Sequence, residues 1–194
     1  MKKALFVIDF INGIAEGKGT CANFLNEHPD VIANTNKLIS TSHRYKVPIF
    51  HIRLAFDPNY SNLPKYAPFG KVIRDNQLFQ VDSPETEFIS SIKVYPDDVI
   101  INKNYGDVFH GNSLLNELKK NDIKTIFFTG ISTDNAILNS CNTAVLNDFY
   151  VIVVKDACGA PTKEAHINAL NIMKGRTASD IITSEEANTK LAQL

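Results

Sequence analysis

Two charged residues of this chain stand at the ends of short apolar runs. Asp9 directly follows the run Ala4–Ile8, and Lys103 comes just after the run Val99–Ile101. A carboxyl group that is partly buried beside a lysine can serve as a general base or a general acid, because burial and a neighbouring charge both change its pKa. Each residue also has a plainer interpretation: the aspartate would cap the turn that follows it, and the lysine would extend into solvent.

A third apolar run, Ile126–Thr129, leads into a tight turn at Gly130–Asp134 and then into a helix that begins near Asn135. In a strand–turn–helix, the first N–H groups of the helix are free to hold an anion or an oxyanion. A nucleophile would stand in this first helical turn, and the chain has Ala136 there. The sequence therefore predicts an oxyanion-binding turn that lacks a nucleophile.

Alternating strands and helices must position these residues. Since each strand-like run is apolar throughout, the pattern predicts an α/β domain over residues 1–194: a three-layer, Rossmann-like fold with a central six-stranded, mainly parallel sheet and helices on both faces. Ligands bind outside the carboxyl ends of the strands in such sheets, where Asp9, Lys103 and the 130–136 turn are expected to converge. The predicted strands are Ala4–Ile8, Pro48–Ile52, Val99–Ile101, Thr125–Thr129, Val151–Val154 and Asp180–Thr183.

Apolar residues that recur at intervals of three to four predict four of the intervening helices. The first begins near Pro29 and Asp30, and the last follows Pro161 and Thr162 and ends before Gly175. In chain order, the predicted buried faces are Val31, Thr35, Leu38, Ile39 and Ser42; Leu114, Leu115 and Leu118; Ile137, Leu138, Cys141, Val145 and Leu146; and His166, Ala169, Leu170 and Met173.

Taken together, the three segments resemble the isochorismatase-like cysteine hydrolase superfamily, which includes nicotinamidases, N-carbamoyl amidohydrolases and isochorismatases. They are Ala4–Asn12, Val99–Phe109, and Gly130–Ala136 with the later strand Tyr150–Cys158, in the family's order. The resemblance implies a catalytic set of an aspartate, a lysine and a cysteine. These fall on Asp9, Lys103 and position 136, where this chain departs from the family pattern.

The resemblance also implies roles for the turn. Ser132 and the N–H at position 136 would form an oxyanion hole, and the Ile131–Ser132 peptide bond is expected to be cis. In the family the lysine helps to keep the thiol ionised, since a nearby cation lowers the pKa of a cysteine. Thr133 and Asp134 match the family pattern and would orient the turn, with Asp134 a candidate helix N-cap.

Three further residues are candidates for substrate binding. Arg53 ends a strand, and its guanidinium group could hold a carboxylate or a carbonyl. Tyr105 and Phe109 follow Lys103 and would form an apolar wall, or would simply pack against the strand end. The long segment 55–84 is rich in turn residues and aromatics, and either covers the substrate or is an ordered surface excursion.

No metal or cofactor is expected. Nicotinamidases in the superfamily use an Asp-x-His arrangement with a later histidine, whereas His51 has no second histidine nearby and is interpreted as structural. His166 is interpreted as a helix residue with a structural hydrogen bond. Cys141 is predicted to lie in the core and Cys21 to be incidental, while Cys158 is a weak candidate for a second thiol near the site.

Ala136 leaves three functions open. The chain is a cysteine-hydrolase-type amidohydrolase for a small amide or carbamoyl compound, with an inactivating cysteine-to-alanine substitution. Alternatively, it is a ligand-binding homologue without catalysis. The third function is a thiol-independent vinyl ether hydrolase of the isochorismatase type, with Asp9 as acid and Lys103 and Arg53 holding carboxylates.

The bulk properties favour a small molecule as the partner. The net charge is −1 and basic blocks are absent from the sequence, so nucleic acid and anionic membranes are not expected as partners. The apolar runs are too short to span a membrane, and three cysteines without metal or redox spacing fit a reducing, cytoplasmic setting. By resemblance, a homo-oligomer, either a dimer or a tetramer, is expected.

Overall fold

Six parallel strands form a single sheet in the computed structural model, which describes residues 1–193. Every neighbouring pair is parallel, so the sheet is wholly rather than mainly parallel. Each predicted apolar run contributes to one strand, which confirms the predicted fold class. The strands are β1 (Lys2–Ile8), β2 (Ile49–Leu54), β3 (Val99–Lys103), β4 (Ile123–Ile131), β5 (Tyr150–Gly159) and β6 (Asp180–Ile182).

The four predicted helices are present as α3 (Asp30–Arg44), α5 (Leu114–Lys120), α6 (Leu138–Leu146) and α7 (Lys163–Met173). Within residues 1–193, no helix is long and apolar enough to cross a membrane. Four other α-helices among residues 1–193 were not predicted from the sequence: three are one or two turns long, and the last follows the final strand. The helices are α1 (Asn12–Ala15), α2 (Ala22–Glu27), α3 (Asp30–Arg44), α4 (Gly70–Asp75), α5 (Leu114–Lys120), α6 (Leu138–Leu146), α7 (Lys163–Met173) and α8 (Ser184–Ala192).

Helices cover both faces of the sheet. On one face α3 packs against α8 and against β5, over a core that contains Leu5 and Val7. On the other face α5, α6 and α7 cover a core that contains Phe6 and Phe128. Successive residues of β1 therefore point to opposite cores, and β1 is apolar throughout because both of its faces are buried.

The spacing of apolar residues predicts the buried face of α3 correctly and that of α6 only in part. The buried residues of α3 are the five that the sequence predicts. In α6 the small residues Ser140, Cys141 and Ala144 face the core, whereas Leu146 is 74% exposed. Leu146 follows Cys141 by five residues, which places it roughly 140° around the helix from that buried residue.

The strand order is β3-β2-β1-β4-β5-β6, so the chain reverses direction across the sheet between β1 and β4. At such a switch point the adjoining loops diverge and leave a crevice at the carboxyl ends of the two strands. Ile8 and Gly130 are paired there. Gly130 has φ +132, and a Cβ would lie 2.7 Å from the Ile8 nitrogen and closer still to its carbonyl oxygen. Only glycine fits this close approach.

Candidate active site

A cavity of about 330 Å³ opens at the carboxyl ends of β1, β3 and β4. Five of the predicted site residues line it together: Asp9, Lys103, Tyr105, Ser132 and Ala136. A larger cavity, of about 500 Å³, lies at the amino ends of the strands beside Lys2 and Tyr45 and contains none of the predicted residues. The smaller cavity is therefore the candidate site, because it is where the reactive groups meet.

Asp9 and Lys103 form a buried ion pair. Asp9 Oδ2 lies 2.7 Å from Lys103 Nζ, and the two side chains are only 4% and 3% exposed. The other carboxylate oxygen accepts a hydrogen bond from the Leu54 N–H at 2.9 Å, and Nζ also donates to the Tyr105 carbonyl at 3.0 Å. Asp9 thus bonds across the sheet instead of capping its own turn, and Lys103 does not extend into solvent.

Burial and the ion pair together set the pKa of the Asp9 carboxyl group. Burial raises the pKa of Asp9, and the charge and hydrogen bond of Lys103 oppose that rise. A carboxyl group held between these effects can accept a proton from a neighbouring group and return it later. Both charged groups line the same cavity as Ala136.

The turn after β4 has the predicted cis peptide bond between Ile131 and Ser132. The carbonyl of Ser132 then accepts from the N–H groups of Asn135, at 3.4 Å, and Ile137, at 3.1 Å, within a short π-helical turn over Thr133–Ile137. The intervening N–H of Ala136 does not bond to that carbonyl. Ala136 is 2% exposed; it belongs to the core cluster of this face and also lines the cavity. Asp134 is exposed and does not cap the helix, because the turn begins before it.

Thr133 ties this turn to the neighbouring elements. Its hydroxyl donates to the Gly159 carbonyl at 2.9 Å and lies 2.8 Å from His166 Nδ1. Since the hydroxyl has a single proton and the carbonyl needs it, Nδ1 of His166 must be the protonated nitrogen. Burial, and the nearby charge of His28, lower the pKa of His166, which favours the neutral ring. His166 therefore has a structural hydrogen bond, as its sequence position suggested.

Arg53 and Phe109 do not reach the cavity. Residues alternate along β2, so Leu54 lines the cavity while the guanidinium of Arg53 bonds to Asn102 Oδ1 at 2.8 Å and the Thr86 carbonyl at 3.1 Å. Phe109 is buried in the core that contains Phe6, and the centroids of the two rings are 5.9 Å apart. The structure therefore corrects both assignments to the substrate pocket.

The apolar wall of the cavity comes largely from the 55–84 segment, which the sequence left undecided between a surface excursion and a covering role. Phe69, Ile73 and Phe79 line the cavity, and the Phe69 ring stacks on Tyr105 at 5.4 Å and 29°. The segment has a small core of its own around Phe56, Leu63 and Ile73. Its richness in aromatics was the sequence signal for this role, but spacing alone does not say where a long segment folds.

The remaining candidates for chemistry lie outside the cavity. Cys21, Cys141 and Cys158 are fully buried, and none of them lines it. Burial raises the pKa of Cys21 and Cys158 to about 12 and that of Cys141 well above its ordinary value, so these thiols stay protonated. His51 is buried and bonds to Asp98 at 2.9 Å. Among residues 1–193, no three His, Cys, Asp or Glu side chains gather in a group that could hold a metal ion.

Several known proteins are similar to this chain in sequence. Residues 3–186 match the family model described as the isochorismatase domain. The uncharacterised isochorismatase family protein YecD of Escherichia coli is 27% identical over 182 residues, which cover 90% of this chain and 89% of YecD. The maleamate amidohydrolase of Pseudomonas putida is 23% identical over 199 aligned residues, covering 100% of this chain and 88% of that enzyme.

A solved structure of a cysteine hydrolase from Pseudomonas syringae pv. phaseolicola is also similar. Its TM-score is 0.86 at 19% identity, and the match covers 98% of this chain and 92% of that one. At this identity the likeness is one of fold. The family model, in contrast, spans nearly the whole domain and includes every element that lines the cavity. The chain therefore belongs to the isochorismatase domain family.

Proposed function

We propose that this chain has the site of a cysteine-hydrolase-type amidohydrolase for a small amide or carbamoyl compound, with alanine in place of the nucleophile. The observation that carries the proposal is the buried Asp9–Lys103 pair lining the same cavity as Ser132 and Ala136. The similarity to a maleamate amidohydrolase and to a cysteine hydrolase supports the reaction class. As it stands, the chain would bind its substrate without forming a covalent intermediate.

The proposed reaction needs a thiol at position 136. With Ala136→Cys, Asp9 would take the thiol proton, and Lys103 would stabilise the thiolate. The thiolate would attack the amide carbon while N–H groups of the 132–136 turn hold the oxyanion. The tetrahedral intermediate would collapse with loss of ammonia or an amine, which takes the proton back from Asp9. Water would then cleave the thioester, releasing the acid and the free thiol.

The test is a gain of function. Purified Ala136→Cys is incubated with a panel of small amides and carbamoyl compounds, and ammonia release is measured across pH. We expect turnover by this variant alone, with none from the unaltered chain or from the matched control Ala136→Ser. Asp9→Asn added to Ala136→Cys is expected to abolish turnover while circular dichroism shows a folded protein.

Thiol labelling makes a negative result informative. The three native cysteines are buried away from the cavity and should resist iodoacetamide, whereas position 136 lines the cavity, so the thiol introduced by Ala136→Cys should react. A folded variant whose new thiol is labelled but which releases no ammonia from any compound would contradict the proposal. Sequencing codon 136 in genomic DNA then establishes whether the alanine is native.

A second candidate, a ligand-binding homologue without catalysis, is favoured by the packing of position 136. Ala136 belongs to the buried core as well as to the cavity lining, where a small apolar side chain fits, and within residues 1–193 the cavity is not lined by any cysteine. This candidate predicts ligand binding by the unaltered chain and no turnover after Ala136→Cys.

Incubation of the unaltered chain with isochorismate tests the thiol-independent alternative. In that reaction the Asp9 carboxyl group, whose pKa is raised by burial, would be the acid.

A further inference from the structure

The charges that line the candidate site cancel. Among the described residues, Asp9 and Lys103 are the only lining side chains with a formal charge, and they neutralise each other at 2.7 Å. The guanidinium of Arg53 is held outside the cavity by Asn102 and Thr86. A carboxylate that entered the cavity would therefore lose its hydration without meeting an uncompensated cation.

Most of the remaining lining of the cavity is apolar. The stacked rings of Phe69 and Tyr105 form one part of it, and Leu54, Ile73 and Phe79 are among the other apolar residues. Aromatic faces favour planar partners that stack or meet edge to face. The polar groups elsewhere in the cavity, from Ser132 and neighbouring residues, are neutral and suit an amide rather than an ion.

From this distribution we infer that the ligand is an uncharged primary amide whose far end is planar and apolar, and that the site discriminates against amides with a carboxylate at that end. The amide group in this inference rests on the proposed function. The discrimination rests on the lining alone, because burying an unpaired carboxylate costs far more than burying an amide that keeps its hydrogen bonds.

Binding to the unaltered chain tests the inference without any need for turnover. Terephthalamide and terephthalamate have the same shape and differ only in one carboxamide or carboxylate group. Isothermal titration calorimetry at neutral pH should show that terephthalamide binds at least about tenfold more tightly. Benzamide should likewise bind more tightly than cyclohexanecarboxamide, and Phe69→Leu should reduce that preference.

A variant at the cavity rim provides the matched control. Val72 lines the cavity and is 58% exposed, so Val72→Lys adds a cation at the mouth without burying it. This variant should bind terephthalamate more tightly than the unaltered chain does. The preference for terephthalamide over terephthalamate should therefore become smaller or reverse. Equal or tighter binding of terephthalamate by the unaltered chain would overturn the inference, as would failure of all four compounds to bind.

The experiments distinguish failure of the ligand-class inference from failure of the amidohydrolase proposal. If the unaltered chain prefers the neutral probes but Ala136→Cys turns over no amide, the amidohydrolase proposal is wrong and the ligand class stands. If Ala136→Cys instead releases ammonia from terephthalamate as readily as from terephthalamide, the amidohydrolase proposal stands and the ligand class is wrong.

Discussion

Removing one member of the buried ion pair should be among the most damaging conservative changes to this protein. Asp9→Asn keeps the shape of the side chain and removes its charge, which leaves Lys103 buried without a counter-charge. At 2.7 Å and an effective dielectric constant of about 20, the attraction lost is about 6 kcal/mol. Relaxation of the structure and the hydrogen bond that asparagine retains make the destabilisation smaller than this lost attraction. We therefore expect a loss of about 3–5 kcal/mol in the free energy of unfolding.

The stability of the opposite variant, Lys103→Met, should depend on pH. In Lys103→Met, Asp9 loses the cation that opposes the rise in its pKa, so the folded state holds a proton there at higher pH than the unfolded state does. A raised pKa in the folded state means that stability is greatest below the unfolded value, near 4, and falls as the pH rises through the folded value. Lys103→Met should therefore be more stable at pH 5 than at pH 8.

A double-mutant cycle decides whether the pair acts as a unit. Asp9→Asn with Lys103→Met removes both charges and should recover most of the stability lost in Asp9→Asn, because replacing a whole buried pair costs far less than breaking it. The chain has no tryptophan, so urea unfolding at pH 7 is followed by far-ultraviolet circular dichroism. A loss below about 1 kcal/mol in Asp9→Asn, or strict additivity in the double variant, would refute the reasoning.

Two further changes probe the scaffold of the site. Gly130→Ala places a Cβ against the backbone of Ile8 at φ +132 and should lower the free energy of unfolding by at least about 3 kcal/mol. The control Gly17→Ala, at φ +57 with no atom within 4 Å, should lower it by only about 1 kcal/mol. Similar losses for the two variants in urea unfolding would contradict the steric argument. His166 has a lowered pKa in the folded state, so the unfolded state binds more protons and stability should fall as the pH drops below about 6.5. His166→Gln should reduce this loss of stability between pH 7 and pH 5. A smaller loss should remain because burial also lowers the pKa of His51. If stability depends on pH in the same way after the substitution, His166 does not contribute to the loss.

The sequence by itself determined the architecture and the location of the site. Six apolar runs separated by helical patterns permit little except a covered parallel sheet, because a strand that is apolar on both faces must be buried on both. The amphipathic face of α3 was predicted residue by residue, since a long helix repeats its pattern several times. Asp9, Lys103 and the 130–136 turn follow strands directly, and parallel strands bring their carboxyl ends to one edge of the sheet.

Only the tertiary structure decided what surrounds those residues. Whether Arg53 or Leu54 reaches the cavity depends on the phase of β2 relative to its neighbours, which one strand's sequence does not contain. The same holds for Phe109, which packs against Phe6 across more than one hundred residues of chain, and for Phe69, whose segment has no periodicity to follow. Local patterns are set by neighbours along the chain, whereas the charge balance and the apolar wall of the cavity arise from contacts between distant segments.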